Sequence, residues 1–253
     1  TWMKSLAANG APLQWRVNAD GELQIRGGIP FLGYYRREGS AHSKVVDGWF
    51  GTDDAVTMTE RGELVFLERL SDLKRLRSGE TFPPQFVETR LRFSPFIKDI
   101  MTVGDETRDF VTALINIDFD VVSRWAEDRL GFSTFTDLSQ KPEVAELLRR
   151  EIGRVNAFLP AHARVKRFAS FPKELDPDEG ELTRSRKLRR EFLLERYAAL
   201  IDGLYGGIAE VQIAIPVTYQ DGRRGELKAR VLVHDVDGSS SGRAGAARME
   251  AFA

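Results

Sequence analysis

Asp47-Gly48-Trp49-Phe50-Gly51-Thr52-Asp53-Asp54, written DGWFGTDD, sets two aromatic side chains and two carboxylates around glycines. Read by itself, the stretch is a tight turn that presents Trp49 and Phe50 beside Asp53 and Asp54. A carboxylate so placed can accept hydrogen bonds from both hydroxyls of a ribose, as acidic residues do in dinucleotide folds. An ordinary acidic turn would look the same, and on these residues alone it leads by roughly three to one. The surrounding chain has to decide.

Around this stretch the chain reads as β with many turns. GELQIR (21–26) and GELVFLE (62–68) are short alternating strands, and AVTMTE-RG-ELVF (55–66) is a hairpin turning near Arg61-Gly62. No long helix is expected before Pro84. From about Leu70 strands and helices alternate. PPQFVETRLRF (83–93) is a helix opened by Pro83-Pro84, with Phe86, Val87, Leu91 and Phe93 near one face. IKDIMTVG (97–104), FVTALINID (110–118) and RVKRFASF (164–171) are strands, and DFDVVSRWAEDRLG (118–131) is a short helix. The strongest helix is PEVAELLRREIGRVNAFL (142–159). Its Val144, Leu147, Leu148, Ile152, Val155 and Leu159 keep three-and-four spacing between Pro142 and Pro160. REFLLERYAALIDGLY (190–205) is a second amphipathic helix. VQIAIPVTYQDGRRGELKARVLV (211–233) alternates on both sides of Asp221-Gly222, as a β-hairpin does, and Pro216 marks an edge. The remainder is small, polar and aperiodic, a loose tail.

The totals exclude several classes of function. The chain has 253 residues, 42% hydrophobic and 30% charged, the balance of a soluble globular protein with room for two ordinary domains. Lys+Arg 37 against Asp+Glu 38 gives a net charge of -1, so the basic excess of a dedicated nucleic-acid binder is missing and no nucleic acid is expected as partner. Without cysteine there are no disulfides, thiol nucleophiles or cysteine-type zinc sites. His42, His162 and His234 lie far apart and read as surface or packing residues, so no metal site is expected within the chain. No apolar run reaches membrane-spanning length. The expected location is the cytoplasm, with peripheral contact at the inner face of the membrane left open. The first residue is threonine, so a fragment or a processed product is one expectation and a natural product the other. Oligomeric state is not legible.

TRSRKLRR (183–190) packs Arg184, Arg186, Lys187, Arg189 and Arg190 into seven positions. A polyanion patch, a solvated helix face and one working lysine among charged neighbours would all look like this locally. On a charge-balanced background the polyanion reading ranks last.

The order of motifs selects among these readings. GELQIRG, FLGYY, DGWFGTDD, GELVFLERLSD, SGETFPPQFVE and GELTRSRKLRR follow one another in an order and spacing that resembles the C-terminal part of the AMP-forming acyl-CoA synthetases. These enzymes belong to the adenylate-forming superfamily. The resemblance runs from about Gly21 to about Tyr205, and GYY, SGE and GELT…K are closest to the long-chain fatty-acid branch. The closing hairpin looks like an extension found on some bacterial members. One such motif is weak evidence; six in order are strong.

The resemblance implies an α+β fold: a distorted β-barrel subdomain (1–69), a mobile α+β lid domain (70–205), a β-hairpin extension (206–235) and a loose tail (236–253). It implies ATP and CoA as substrates with a fatty acid, and Mg²⁺ held mainly by residues upstream of these. Asp54 matches the aspartate that holds the ribose diol of ATP and of the acyl-adenylate. Arg69 matches the arginine that closes the large domain and reaches the nucleotide; as a plain residue it would be a strand-end salt-bridge former. Ser71 falls at the hinge. Ser78-Gly79 matches the loop on the CoA path, where a narrow ligand or a simple turn would each favour glycine. Lys187 matches the lysine that swings in to contact the carboxylate and the α-phosphate. For the four neighbouring arginines a solvated rim leads by roughly two to one.

The match departs at four places. Asp53 stands where glycine is usual, Ser71 where lysine or aspartate is commoner, and Glu68 where aspartate or glycine is common. Arg184-Ser185-Arg186 replaces Pro-Thr followed by an apolar residue or glycine. The phosphate-cradling loop and the aromatic-Gly-x-Thr-Glu motif are not among these residues; in the family they lie upstream. The isolated chain is therefore expected to be inactive. The rival expectation is a degenerate, non-catalytic module that binds adenylate, CoA or a protein.

Overall fold

A computed structural model describes residues 13–27, 45–218 and 224–237. FLGYY (31–35), the Asp221-Gly222 turn and the tail beyond residue 237 lie outside the described residues.

The first sheet is built on β4 (Trp49–Met58), which pairs antiparallel with β2 (Glu22–Arg26), β3 (Val45–Val46) and β5 (Leu64–Arg69). β1 (Gln14–Val17) adds to β2, giving an open, half-barrel sheet of five strands. The tight turn of DGWFGTDD is confined to Asp47-Gly48, with φ of 51° and 78°, the two-residue Asp-Gly connection that a right-twisted hairpin favours. From Trp49 onward the stretch is strand. The expected hairpin of β4 and β5 forms, its loop closed by Thr59 and Gly62 and by Gly62 at φ 76°.

A 3₁₀ turn, Leu70–Asp72, leads out of β5. The short pair β6 (Lys74–Arg75) and β7 (Thr81–Phe82) follows, then α1 (Pro84–Leu91). The second sheet is mixed: β8 (Ile97–Val103), β9 (Val111–Ile117), β10 (Val165–Ser170) and β13 (His234–Asp235), with β9 and β10 parallel. The crossover between β9 and β10 carries α2 (Phe119–Ala126), the unanticipated α3 (Phe135–Ser139) and α4 (Pro142–Asn156).

Every residue of β9 is buried, and the two-residue period of a strand explains how. Ala113 and Ile115 pack into one core with Val144, Leu148 and Ile152 of α4, while Leu114 joins another with Leu193, Leu200 and Leu204. A strand covered on both faces reads as a continuous apolar run, which is the pattern of VTALINI. The second core is closed by β11 (Glu210–Thr218) and β12 (Arg224–Leu232), which pair through Val211↔Val231 and Ile215↔Leu227. Pro216 stands in a two-stranded ribbon, where both strands are edges.

Two sequence expectations change in the structure. Phe93 does not share the buried face of α1: the helix ends at Leu91, and beyond the Arg92 cap its side chain is 82% exposed. The helix expected over 190–205 bends into α5 (Arg190–Arg196) and α6 (Ala198–Tyr205). The bend falls at Tyr197 (φ -107°, ψ 22°), whose buried hydroxyl donates to Glu181 at 2.9 Å. Apolar periodicity carries no trace of that tertiary bond.

Candidate nucleotide-binding strand pair and lysine hairpin

Asp54 on β4 and Arg69 at the end of β5 are direct cross-strand partners. Arg69 Nη1 lies 2.7 Å from Asp54 Oδ1 and donates to the Thr52 carbonyl at 3.1 Å. A bulge creates this placement. Against β2, the five residues of β4 from Gly51 to Ala55 face only the three from Glu22 to Gln24. The surplus sits at Thr52-Asp53-Asp54, and a bulge of this kind re-aims the side chains it carries. Thr52 Oγ1 donates to the Leu23 carbonyl at 2.8 Å and accepts from the Asp54 N–H at 3.2 Å, which pins the bulge. Asp53 stands at φ 59°, a left-handed conformation for which glycine is the default and which aspartate tolerates better than most residues. Its N–H donates to Glu22 Oε1 at 3.1 Å.

Ser71 is exposed within the 3₁₀ turn, its hydroxyl donating to Asp72 Oδ1 at 3.1 Å. With Asp53, Arg69 and Leu70 it lines an open cleft of about 690 Å³. On the other side of the turn lies a cluster that sequence reasoning missed. Glu68, 4% exposed, accepts from the Gln85 N–H at 3.3 Å at the start of α1. Arg190 Nη2 reaches both oxygens of Glu88, at 2.6 and 2.8 Å, and Glu88 also accepts from the N–H and hydroxyl of Thr102. Burial is the largest cause that pushes the Glu68 carboxyl up to about 7.

Ser78-Gly79 forms the tip of the β6–β7 turn. Gly79 stands at φ 88°, its N–H donating to Leu76, and Leu76 N–H donates to Glu80. A Cβ on Gly79 would meet nothing within 4 Å, so the backbone angle, not crowding, is what demands glycine here.

Lys187 is exposed on a miniature hairpin. Leu182 and Leu188 bridge antiparallel, and Thr183 N–H donates to the Lys187 carbonyl at 2.8 Å. Arg186 N–H closes the turn on the Thr183 carbonyl at 2.8 Å. Arg186 itself stands at φ 60°, the left-handed position that a three-residue hairpin loop reserves for glycine. Beneath the hairpin Glu181 is fully buried and accepts from three groups, Lys173 Nζ at 2.6 Å, Asp176 N–H at 3.0 Å and Tyr197 Oη at 2.9 Å, with the Arg196 guanidinium an ion-pair neighbour at 3.4 Å. Glu179 pairs with Lys173 at 3.0 Å and Arg196 at 2.7 Å, so two acids meet two bases and the cluster is neutral. The GEL of GELTRSRK was the visible signal. What it could not reveal was which cations, from the segment after β10 and from α5, would come to meet the acid.

Asp54, Arg69 and Ser71 thus gather on one edge of the first sheet. Among the described residues, no hydrogen bond or ion pair joins Lys187 to Asp54, Arg69 or the Ser78-Gly79 turn. Among the described residues, no group of three or more acidic or histidine side chains is placed to hold a metal ion. Asp53 lines the cleft and Asp54 stands beside it in the strand, paired with Arg69; a carboxylate so placed can accept from a sugar diol, and the exposed ammonium of Lys187 can pair with an anion.

Comparison with known proteins identifies the family. Residues 72–209, more than half of the chain, match the family model described as the AMP-binding enzyme C-terminal domain. A long-chain-fatty-acid–CoA ligase of Mycobacterium tuberculosis is 30% identical over 192 residues, which cover 75% of this chain and 32% of that protein. Long chain acyl-CoA synthetase 1 of Arabidopsis thaliana is 30% identical over 199 residues, covering 78% of this chain and 30% of the plant protein. The chain therefore spans about a third of the length of the curated relatives it matches. Among solved structures, the adenylation domain of a carboxylate reductase from Mycobacterium chelonae gives a TM-score of 0.49 at 22% identity, over 81% of this chain and 30% of that one. With the family match covering most of its second sheet and both cores, the chain belongs to the AMP-binding enzyme C-terminal domain family, that of the AMP-forming acyl-CoA synthetases.

Proposed function

We propose that this chain is the C-terminal part of an ATP-dependent fatty acyl-CoA synthetase: the last β subdomain of the large domain (1–69), a mobile lid (70–205) and a hairpin extension (206–235). The observation that carries the reading is where the family match begins. It starts at residue 72, immediately beyond Ser71, and the strands just before it hold the Asp54–Arg69 pair.

In this reading a fatty carboxylate oxygen attacks the α-phosphorus of ATP. The new C–O–P linkage forms as the bond to pyrophosphate breaks, and acyl-AMP remains. The thiol of CoA then attacks the acyl carbon, AMP leaves and the thiol proton passes to water. Asp54 holds the ribose diol and Arg69 supports it from the neighbouring strand. Adenylation brings two anions together, so the Lys187 ammonium, bridging carboxylate and α-phosphate, acts most where negative charge builds up. Lysine suits the task as a compact charge on a flexible stem. Ser71 is the pivot, and rotation exchanges Lys187 for the Ser78-Gly79 turn, which lines the path of CoA, so one cleft serves two reactions. Mg²⁺ would accompany ATP, and among the described residues no group of acidic or histidine side chains is placed to hold it. We place the reaction in the cytoplasm. Among the described residues no helix is long and apolar enough to cross a membrane.

A second reading, a non-catalytic module that binds adenylate, CoA or a protein, draws on one observation. Asp53 and Arg186 both hold left-handed backbone where glycine would be unstrained. Assaying the full-length parent with a panel of acids, ATP and CoA separates the two. Formation of AMP and acyl-CoA is expected; a parent that releases no pyrophosphate with any acid overturns the enzyme reading in favour of the module. The chain by itself is expected to stay at background in ATP–pyrophosphate exchange.

A further inference from the structure

The hairpin that carries Lys187 has one bond that its backbone alone would not make. In a three-residue loop the turn carbonyl of Thr183 is already engaged by Arg186 N–H, and Thr183 N–H by the Lys187 carbonyl. That leaves the N–H of Lys187, and the Thr183 hydroxyl accepts it at 3.0 Å. The same hydroxyl lies 3.1 Å from Ser185 Oγ, so it can accept from one neighbour and donate to the other. All three backbone bonds of the loop therefore converge on Thr183, on carbonyl, amide and side chain. One residue back, Leu182 is buried in the second core, and Glu181 is locked among Lys173, Arg196 and Tyr197. Arg189 N–H returns to the Glu181 carbonyl at 2.9 Å, so both arms of the hairpin stand on one immobile acid.

Five cationic side chains crowd this segment, and although Glu88 and the Thr102 carbonyl hold Arg190, the exposed Arg184, Arg186 and Lys187 stand on long flexible stems. A working ammonium gains from the opposite: a stem rooted in a fixed backbone, so that little freedom is lost when it meets its anions. We propose that Thr183 is a positioning residue for Lys187: its hydroxyl fixes the lysine's backbone N–H and so aims the ammonium, from a hairpin founded on Glu181. The inference rests on the assignment of Lys187 to the adenylation step. Thr183 touches no substrate in this account and acts through the lysine alone.

The test uses the full-length parent enzyme and the variants Thr183→Val, Thr183→Ser, Lys187→Ala and the double variant Thr183→Val with Lys187→Ala. Valine keeps the shape of threonine and removes the oxygen; serine restores it. ATP–pyrophosphate exchange reads adenylation, and thioester formation from supplied acyl-AMP reads the second step. Thr183→Val is expected to slow adenylation by about fivefold to tenfold, the rate equivalent of one hydrogen bond, and to leave the second step within about twofold. Thr183→Ser is expected to recover most of the loss. In the Lys187→Ala background Thr183→Val is expected to add nothing, because a residue acting only through a lysine cannot matter once the lysine is gone. A further loss in that background, an equal fall in both steps, or failure of serine to rescue overturns the inference. Normal adenylation by Thr183→Val beside a crippled Lys187→Ala overturns it too, while leaving the assignment of Lys187 intact. Normal adenylation by Lys187→Ala overturns that assignment and this inference together.

Discussion

Glu68, at the inner end of β5, accepts the Gln85 N–H in the first turn of α1 at 3.3 Å, across the Leu70–Asp72 turn. A carboxyl of the first sheet is thereby fastened to the segment on which the second sheet packs. Asp72 and Glu88 face it as like charges, and Arg190 opposes them. The contact joins the two regions at the position where the proposed pivot must give way. Any rotation about Ser71 has to break or stretch it.

The same contact predicts a pH dependence. Burial, reinforced by Asp72 and Glu88 and opposed by Gln85 N–H and Arg190, raises the Glu68 carboxyl from 4.5 to about 7. A group raised in the folded state contributes stability that is fully present below its unfolded value and is lost as pH climbs through the folded one. His234 works the other way: burial against Phe168, with Arg149 nearby, lowers it from 6.5 to about 4. Its contribution is present above 6.5 and is lost as pH falls towards 4. The two windows overlap, so the difference between wild type and Glu68→Gln isolates Glu68. That difference is expected to move in favour of the variant by about 1–3 kcal/mol between pH 4.5 and 8. Thermal or urea melts across the range measure it, and a difference that stays flat removes the argument.

Arg186 offers a test of strain in the lysine hairpin. At φ 60° a side chain with a Cβ costs about 1 kcal/mol or more, and glycine escapes that cost while adding freedom to the unfolded chain. The two effects leave Arg186→Gly more stable by up to about 1 kcal/mol. A β-branched residue is the worst tenant of this conformation, so Arg186→Val should lose about 1 kcal/mol. Denaturant midpoints of the pair decide: shifts in the same direction would mean the loop does not hold this backbone in solution.

Gly203 tests the seat of the hairpin extension. In the interior of α6, glycine to alanine alone would gain about 1 kcal/mol of helix propensity. A Cβ at Gly203, however, would overlap Cγ2 of Val211 on β11. Overpacking typically costs about 1–3 kcal/mol, so the net sign turns unfavourable only if β11 sits against the helix. Gly203→Ala is expected to lower the melting temperature, and Val211→Ala in the same chain to recover part of the loss. A stabilised Gly203→Ala would show that ribbon and helix are apart in solution.

These residues also show where sequence reasoning runs out. β9 was legible because two buried faces impose an unbroken apolar run, and α4 because one buried face imposes a 3.6-residue period bounded by prolines. The Asp54–Arg69 pairing was half legible: the motif order suggested that both residues serve one nucleotide, but not the bulge at Thr52–Asp54 that puts them opposite each other. The bend at Tyr197 and the Glu179–Glu181–Lys173–Arg196 cluster were illegible. Each depends on a partner distant in sequence and on burial, and a polar residue that is buried looks the same in a sequence as one that is not. Phe93 failed for a local reason, since the helix stops two residues earlier and its periodicity stops with it.

Asp54 carries the sharpest contrast between a structural and a functional role. As a strand-end ion pair it is partly exposed, with Arg69 more so, and a pair of that kind is worth about 0–1 kcal/mol. Asp54→Asn keeps the shape, keeps an oxygen for Arg69, and removes the charge. The chain's stability should therefore change by no more than about 1 kcal/mol. An amide can present only one acceptor oxygen to a ribose diol, where the carboxylate presents two. In the full-length parent the variant should therefore raise KM for ATP by about tenfold, the loss of one charge-assisted hydrogen bond, with KM for CoA unchanged in the second step. Steady-state kinetics with varied ATP, beside a melt of the same preparation, separates the cases. A destabilised protein with normal affinity for ATP would return Asp54 to the role of an ordinary salt bridge. A stable protein with weakened ATP use would mark the β4 bulge as the nucleotide's resting place.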